Sequence, residues 1–135
     1  MITLAELEGH WTLTRRIDDR RAGLTGRLIG TCLWRRDAAG LVQEEIGTLH
    51  YGCAPPIRAE RRYLWREVGV GLAVFFEDGR PIYDLAPGRL STRHDCAPDT
   101  YDVTYVFDGS FSFSTTWRVT GPRKDQFIHS TYTRP

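Results

Sequence analysis

The sequence lacks a charge excess, a long apolar run and a cysteine framework, and each absence removes a class of protein. Lys and Arg total 18 against 17 Asp and Glu, a formal net charge of +1. A dedicated nucleic-acid binder carries a clear basic excess, so that class is disfavoured. No apolar stretch approaches the roughly 20 residues of a membrane-spanning helix. Glu6 and Glu8 fall where the apolar segment of a secretory signal would begin, which predicts that none is present. Cys32, Cys53 and Cys96 are an odd number without C-x-x-C spacing, which favours the reducing cytoplasm over a disulfide scaffold. Gly23, Gly26, Gly30 and Gly40 match neither a phosphate-binding loop nor a dinucleotide fingerprint, and no G-x-S-x-G elbow occurs. There is no repeat, low-complexity tract or linker. The 135 residues are expected to form one domain over 1–135.

What is present is a succession of short strands. Only the first turn reads as helix: Thr3 and Glu6 have capping-box spacing around Leu4, Ala5 and Leu7, and Gly9 ends it. Strands are predicted at about 10–18, 24–36, 41–52, 57–67, 70–77, 80–85, 90–95, 100–108, 111–120 and 125–134. Turn chemistry separates them, as at Ala54-Pro55-Pro56, Asp78-Gly79, Ala86-Pro87-Gly88 and Asp108-Gly109. Asp-Gly between two alternating runs is the strongest of these hairpin signals.

About ten strands on tight turns predict an all-β fold, a single antiparallel barrel with a short N-terminal helix. Side chains alternate across a strand, so Phe111, Phe113, Thr115, Trp117 and Val119 share one face. Tyr101, Val103, Tyr105 and Phe107 do the same one strand earlier. These aromatic faces are expected inside, in a closed barrel without free edges. Leu72, Val74 and Phe76 alternate with Ala73 and Phe75, so that strand is apolar on both faces. The N-terminal helix or a partner subunit would cover it, and a homodimer is one such arrangement.

Gly9-x-Trp11 opens the first strand and Arg134 closes the last, placed to stack on an indole face. In this the sequence resembles the lipocalin-like (calycin) superfamily, whose barrels open with Gly-x-Trp and pack a final-strand arginine over it. The resemblance implies a structural role for Gly9 and Trp11. A longer set of strings is similar to an uncharacterised family of small lipocalin-like domains from bacteria and fungi. They are Tyr63-x-Trp65, Phe76-Glu77-Asp78-Gly79-Arg80, His94-x-Cys96-x-x-Asp99-x-Tyr101 and Trp117-x-Val119-x-Gly121-Pro122-Arg123-Lys124-Asp125. That likeness implies the fold and no particular activity.

Several constellations could carry chemistry. His94, Cys96 and Asp99 are all zinc-ligand types, but their spacing is irregular and Ala97-Pro98 turns the chain between them. A strand end with hydrogen-bonded turn residues and a small buried thiol explains them better, so no metal site is expected. Tyr63, Trp65, Tyr101, Tyr105, Phe113 and Trp117 line the predicted interior, either as a filled core or as a pocket wall. Arginines recur in pairs at 15–16, 20–21, 35–36 and 61–62. Arg61 shares parity with Tyr63 and Trp65, so it is the expected interior arginine, held by an anionic ligand or by Glu45 or Glu67. The other pairs are expected to be solvated strand ends. Arg123 and Lys124 belong to a hairpin tip or to a ligand entrance. The resemblance to the superfamily's haem-binding relatives would allow His129 to ligate a haem, but Phe127 and Ile128 leave its face undecided and a core or surface histidine is the better reading.

The leading expectation is a cytoplasmic barrel that binds a small, partly apolar molecule able to carry an anionic group. Its contacts would be Arg61, Tyr63, Trp65, His94, Tyr101, Tyr105 and Trp117, without a cofactor, nucleic acid or membrane. The alternative is a cofactor-independent isomerase or cyclase in the same cavity, an activity that calycin-type barrels host. His94 or Glu45 would then be the general base. A third reading is a non-catalytic interaction module with a filled core.

Overall fold

Thr3 Oγ1 accepts from the Glu6 amide at 3.2 Å, and the Glu6 carboxylate accepts in turn from the Thr3 amide. This box starts helix α1 (Leu4–Leu7), whose Leu4 and Leu7 are buried. The computed structural model describes residues 2–134. After α1 come ten strands: β1 (Gly9–Asp19), β2 (Leu24–Arg36), β3 (Leu41–Tyr51), β4 (Ile57–Val68), β5 (Gly71–Phe76), β6 (Pro81–Leu85), β7 (Ser91–Cys96), β8 (Asp99–Asp108), β9 (Ser112–Thr120) and β10 (Asp125–Thr133).

They form one antiparallel sheet in the order β6-β5-β4-β3-β2-β1-β10-β9-β8-β7. Each strand pairs with its neighbour in sequence except β6 with β7, and β1 pairs with β10. The result is a near-closed barrel of up-and-down strands. Its seam lies between β6 and β7, where a lone bridge joins Ala86 and Arg89. The expectation of full closure is corrected by this seam: β6 and β7 are edge strands. Between β6 and β7 the chain makes only the tight 86–89 turn with its single bridge, and the β5–β6 register shifts at Val74/Phe75.

Antiparallel alternation gives the barrel two ends. At the narrow end, beside α1, sit Trp11, Trp34, Trp65, Leu41, Leu72 and Leu85, all buried in one cluster with Leu4 and Leu7. Trp11 Nε1 donates to the Leu7 carbonyl at 2.7 Å. The Arg134 guanidinium lies 4.2 Å from the Trp11 ring centroid and donates to the Glu6 carbonyl, so the last strand clamps the plug. Phe113 stacks on Tyr132 at 4.5 Å and meets Trp11 edge-on at 5.2 Å. Such pairs add specific geometry to area burial.

The expected inward sets are inside, with one exception. Phe111 is 65% exposed, because the β8–β9 turn extends through it and β9 begins at Ser112. Gly109 in that turn has φ +67°, a region L side chains seldom adopt. Gly30 lies against β3 so closely that a Cβ would meet the Ile46 carbonyl at 2.1 Å. In β5, Leu72 and Val74 are buried inside and Ala73 is buried on the other face within the single chain. No described helix is long and apolar enough to cross a membrane.

Candidate functional site

Halfway up the barrel the apolar core gives way to a polar belt. In β1, Arg15 has the parity of Trp11, Leu13 and Ile17, so it must point inward. It is 7% exposed and faces Glu45 of β3, which is 3% exposed. Arg15 Nη2 donates to Glu45 Oε1 at 2.9 Å and to Oε2 at 3.1 Å. Its Nε donates to Ser130 Oγ at 2.7 Å, Ser130 being the register partner of Arg15 on β10. Gln43 Nε2 donates to Glu45 Oε2 at 2.9 Å, and Gln43 Oε1 accepts from Trp65 Nε1 at 2.8 Å. The Tyr132 hydroxyl donates to Glu45 Oε2. A buried charge is tolerated only when paired and hydrogen-bonded, and here both are.

Interior arginine is therefore Arg15, not one of a solvated pair as its position beside Arg16 suggests. Arg61 also faces inward, opposite Glu45 in the β3–β4 register, but the Glu45 carboxylate is already taken by Arg15. Arg61 is left exposed near the open end, within 3.4 Å of the Tyr63 hydroxyl and without a carboxylate partner among the described residues.

Burial opposes the Arg15 charge, and the adjacent Glu45 and Tyr132 outweigh it, so its pKa is raised. Burial raises the Tyr132 hydroxyl well above the usual tyrosine range, with the Glu45 charge adding to it. Tyr83 and Tyr105 are raised in the same way, foremost by burial. Their hydroxyls are 2.5 Å apart.

Above the belt stands an aromatic ring centred on Trp117, which touches Tyr101 at 5.8 Å, Tyr83 at 5.9 Å and Tyr63 at 6.4 Å between centroids. His94 stacks on Tyr101 at 6.0 Å and meets Phe76 at 6.2 Å. Three spaces converge on Arg61. One of about 20 Å³ lies over the belt, lined also by Arg61, Tyr63 and Trp117. A second of about 50 Å³ runs along Ile17, Leu28, Leu49 and Ala59. The third is an open groove of about 500 Å³ at the mouth, walled by Tyr63, Phe76 and the ion pairs Arg62–Glu77 and Arg80–Asp78. The barrel is thus filled below, with two small internal spaces and an open groove above. A partly apolar groove of this size accommodates a small molecule.

The expected contacts divide along this line. Arg61, Tyr63 and Trp117 line the spaces of the open half, whereas Tyr101 and His94 stand in the aromatic ring and line none of the three. Tyr105 lies in the floor, and Trp65 is sealed in the core with its indole N–H held by Gln43. The two candidate bases are in different settings: Glu45 is enclosed by the belt, and His94 stands in the aromatic ring. Asp99 is held by Lys124 at 3.0 Å, and no group of three or more His, Cys, Asp or Glu among the described residues could hold a metal ion. His129 is exposed on the outer face, 3.2 Å from the Thr116 hydroxyl, so it cannot ligate a haem inside the barrel. Ser130, Gln43 and Tyr132 were unmarked by any motif. Their only sequence signal is strand parity.

No curated protein matches the chain. In fold it is similar to the S-type phycobiliprotein lyase CPES from Guillardia theta, with TM-score 0.65, 8% identity, and 98% of this chain and 90% of that one covered. It is also similar to a protein of unknown function from the DUF3598 family of Nostoc punctiforme, with TM-score 0.59, 12% identity, and 100% of this chain and 50% of that one covered. At such identities the likeness shows the antiparallel barrel fold and nothing of the ligand. Residues 7–134 match the family of unknown function DUF6314, and the chain belongs to that family.

Proposed function

We propose that the protein binds a small, partly apolar, anionic molecule in the open half of the barrel, with Arg61 as the anchor. The observation that carries this reading is the convergence of all three spaces on an inward-facing guanidinium that lacks a carboxylate. Tyr63 and Trp117 would supply the apolar contact, with Tyr101 and His94 packed behind Trp117. A ligand burying some 200–300 Å² there gains roughly 5–7 kcal/mol before entropy costs.

Two fluorescent probes test the anchor. 8-Anilinonaphthalene-1-sulfonate carries an anion, and N-phenyl-1-naphthylamine is its neutral relative. The sulfonate is expected to bind saturably and to quench tryptophan emission. Arg61→Leu should weaken it by about 10–100-fold, the worth of a hydrogen bond to a charged group, and leave the neutral probe within about twofold. Equal losses for both probes would mean that Arg61 shapes the site and does not read charge. Mass spectrometry of the purified native protein would show in addition any molecule carried from the cell.

A further inference from the structure

We infer that the ligand has two unlike ends: an anionic group at Arg61 and a neutral hydrogen-bond acceptor, such as a hydroxyl or carbonyl oxygen, seated on the polar belt. This deepens the reading above and rests on it.

The belt holds no spare cation. Arg15 and Glu45 neutralise each other, and every oxygen of Glu45 has a donor. A second negative charge there would be desolvated against a site of zero net charge. Yet the belt has O–H groups left over. Tyr83 and Tyr105 share one hydrogen bond, so whichever hydroxyl accepts keeps its own hydrogen. Both hydroxyl-bearing side chains are buried and both line the small space under Arg61. Ser130 accepts from Arg15 and likewise retains its hydrogen, without an acceptor among the described residues. Buried tyrosine hydroxyls ordinarily have a partner.

Size makes the same selection. The space is about 20 Å³. A void needs about 10–15 Å³ of such volume to hold a water, so this one admits a single oxygen and not a carboxylate. Arg61 and Tyr63 line both this space and the mouth groove, so a molecule that spans the two must pass between these side chains. The geometry is that of a slot with a charged rim and a neutral, donor-rich floor.

Three rigid acids separate the possibilities by calorimetry: 2-naphthoic acid, 6-hydroxy-2-naphthoic acid and 2,6-naphthalenedicarboxylic acid. The hydroxy acid is expected to bind about tenfold tighter than naphthoate, and the diacid no tighter than naphthoate. Tyr83→Phe/Tyr105→Phe removes both hydroxyls while keeping the ring shapes, a change that costs a fold little. It should abolish the advantage of the hydroxy acid and leave naphthoate unchanged. A single Phe variant still has one free O–H and should keep the preference. Binding of the diacid as tight as that of the hydroxy acid overturns the neutral floor and leaves the Arg61 anchor standing. If none of the three acids binds, the mouth site itself fails.

Discussion

Arg15 and Glu45 show how one pair of residues can decide what a barrel interior accepts. Their ion pair is almost sealed from solvent, at 7% and 3% exposure. Removing one partner of such a pair strands the other charge and costs about 3–5 kcal/mol, whereas replacing both by apolar groups is often close to neutral. Arg15→Met and Glu45→Leu are therefore each expected to lower unfolding stability by that amount, and the double variant to recover most of the loss. Urea denaturation of the four proteins measures the coupling. Losses below about 1 kcal/mol in both single variants would place the belt outside the stability of the fold. The pair was legible only in part. Glu45 is foreseeable as the partner of a buried arginine, and Arg15 has the parity of Trp11 and Leu13. But Arg61 has the same inward parity, and one sequence does not tell which of two arginines a single carboxylate will choose. That choice follows from the third dimension, where β10 brings Ser130 and Tyr132 to Arg15.

At the scale of strands, alternation and turn chemistry were enough. Asp108-Gly109 and Ala86-Pro87-Gly88 stand in the turns they announce, and the strand limits follow from them. Phe111 departs from the pattern because the alternation of β9 extends one residue back into the turn. The seam was invisible for a different reason: it is a ladder not made, and no residue type encodes an absent hydrogen bond. Its effect is measurable. Outer amides of β6 and β7 lack a partner strand, and local opening begins where the backbone is least paired. Hydrogen exchange is expected to be fastest in β6 and β7 among the ten strands and slowest in β1, β2 and β10. Uniform protection around the barrel would show that the seam is closed in solution.

For the whole molecule, three interior phenols set an alkaline limit. Tyr83, Tyr105 and Tyr132 all have hydroxyl pKa values raised by burial. In the unfolded chain a tyrosine ionises near pH 10, while in the folded protein these three stay protonated at that pH. The folded state then binds more protons than the unfolded one, so stability is full below about pH 10 and falls as pH rises further. Each phenol contributes a slope of about 1.4 kcal/mol per pH unit in that window. Thermal melts between pH 8 and 11 should show the decline. The Tyr83→Phe/Tyr105→Phe protein should show a shallower one, and equal slopes would mean that these hydroxyls ionise freely in the fold.

Because the sheet order runs outward from β1 and β10, the strands made first and last meet in its centre, and the gap opens between strands made midway. On the ribosome, β1 through β9 can pair only as two separate meanders, each with a raw edge, until the final strand emerges between them. Assembly is then a late, long-range zipping event rather than gradual growth, the kind of topology that folds slowly. A chain stalled before β10 would present β1 and β9 as unpaired edges in addition to β6 and β7, and a nascent protein of this design has reason to be shielded until β10 is in place.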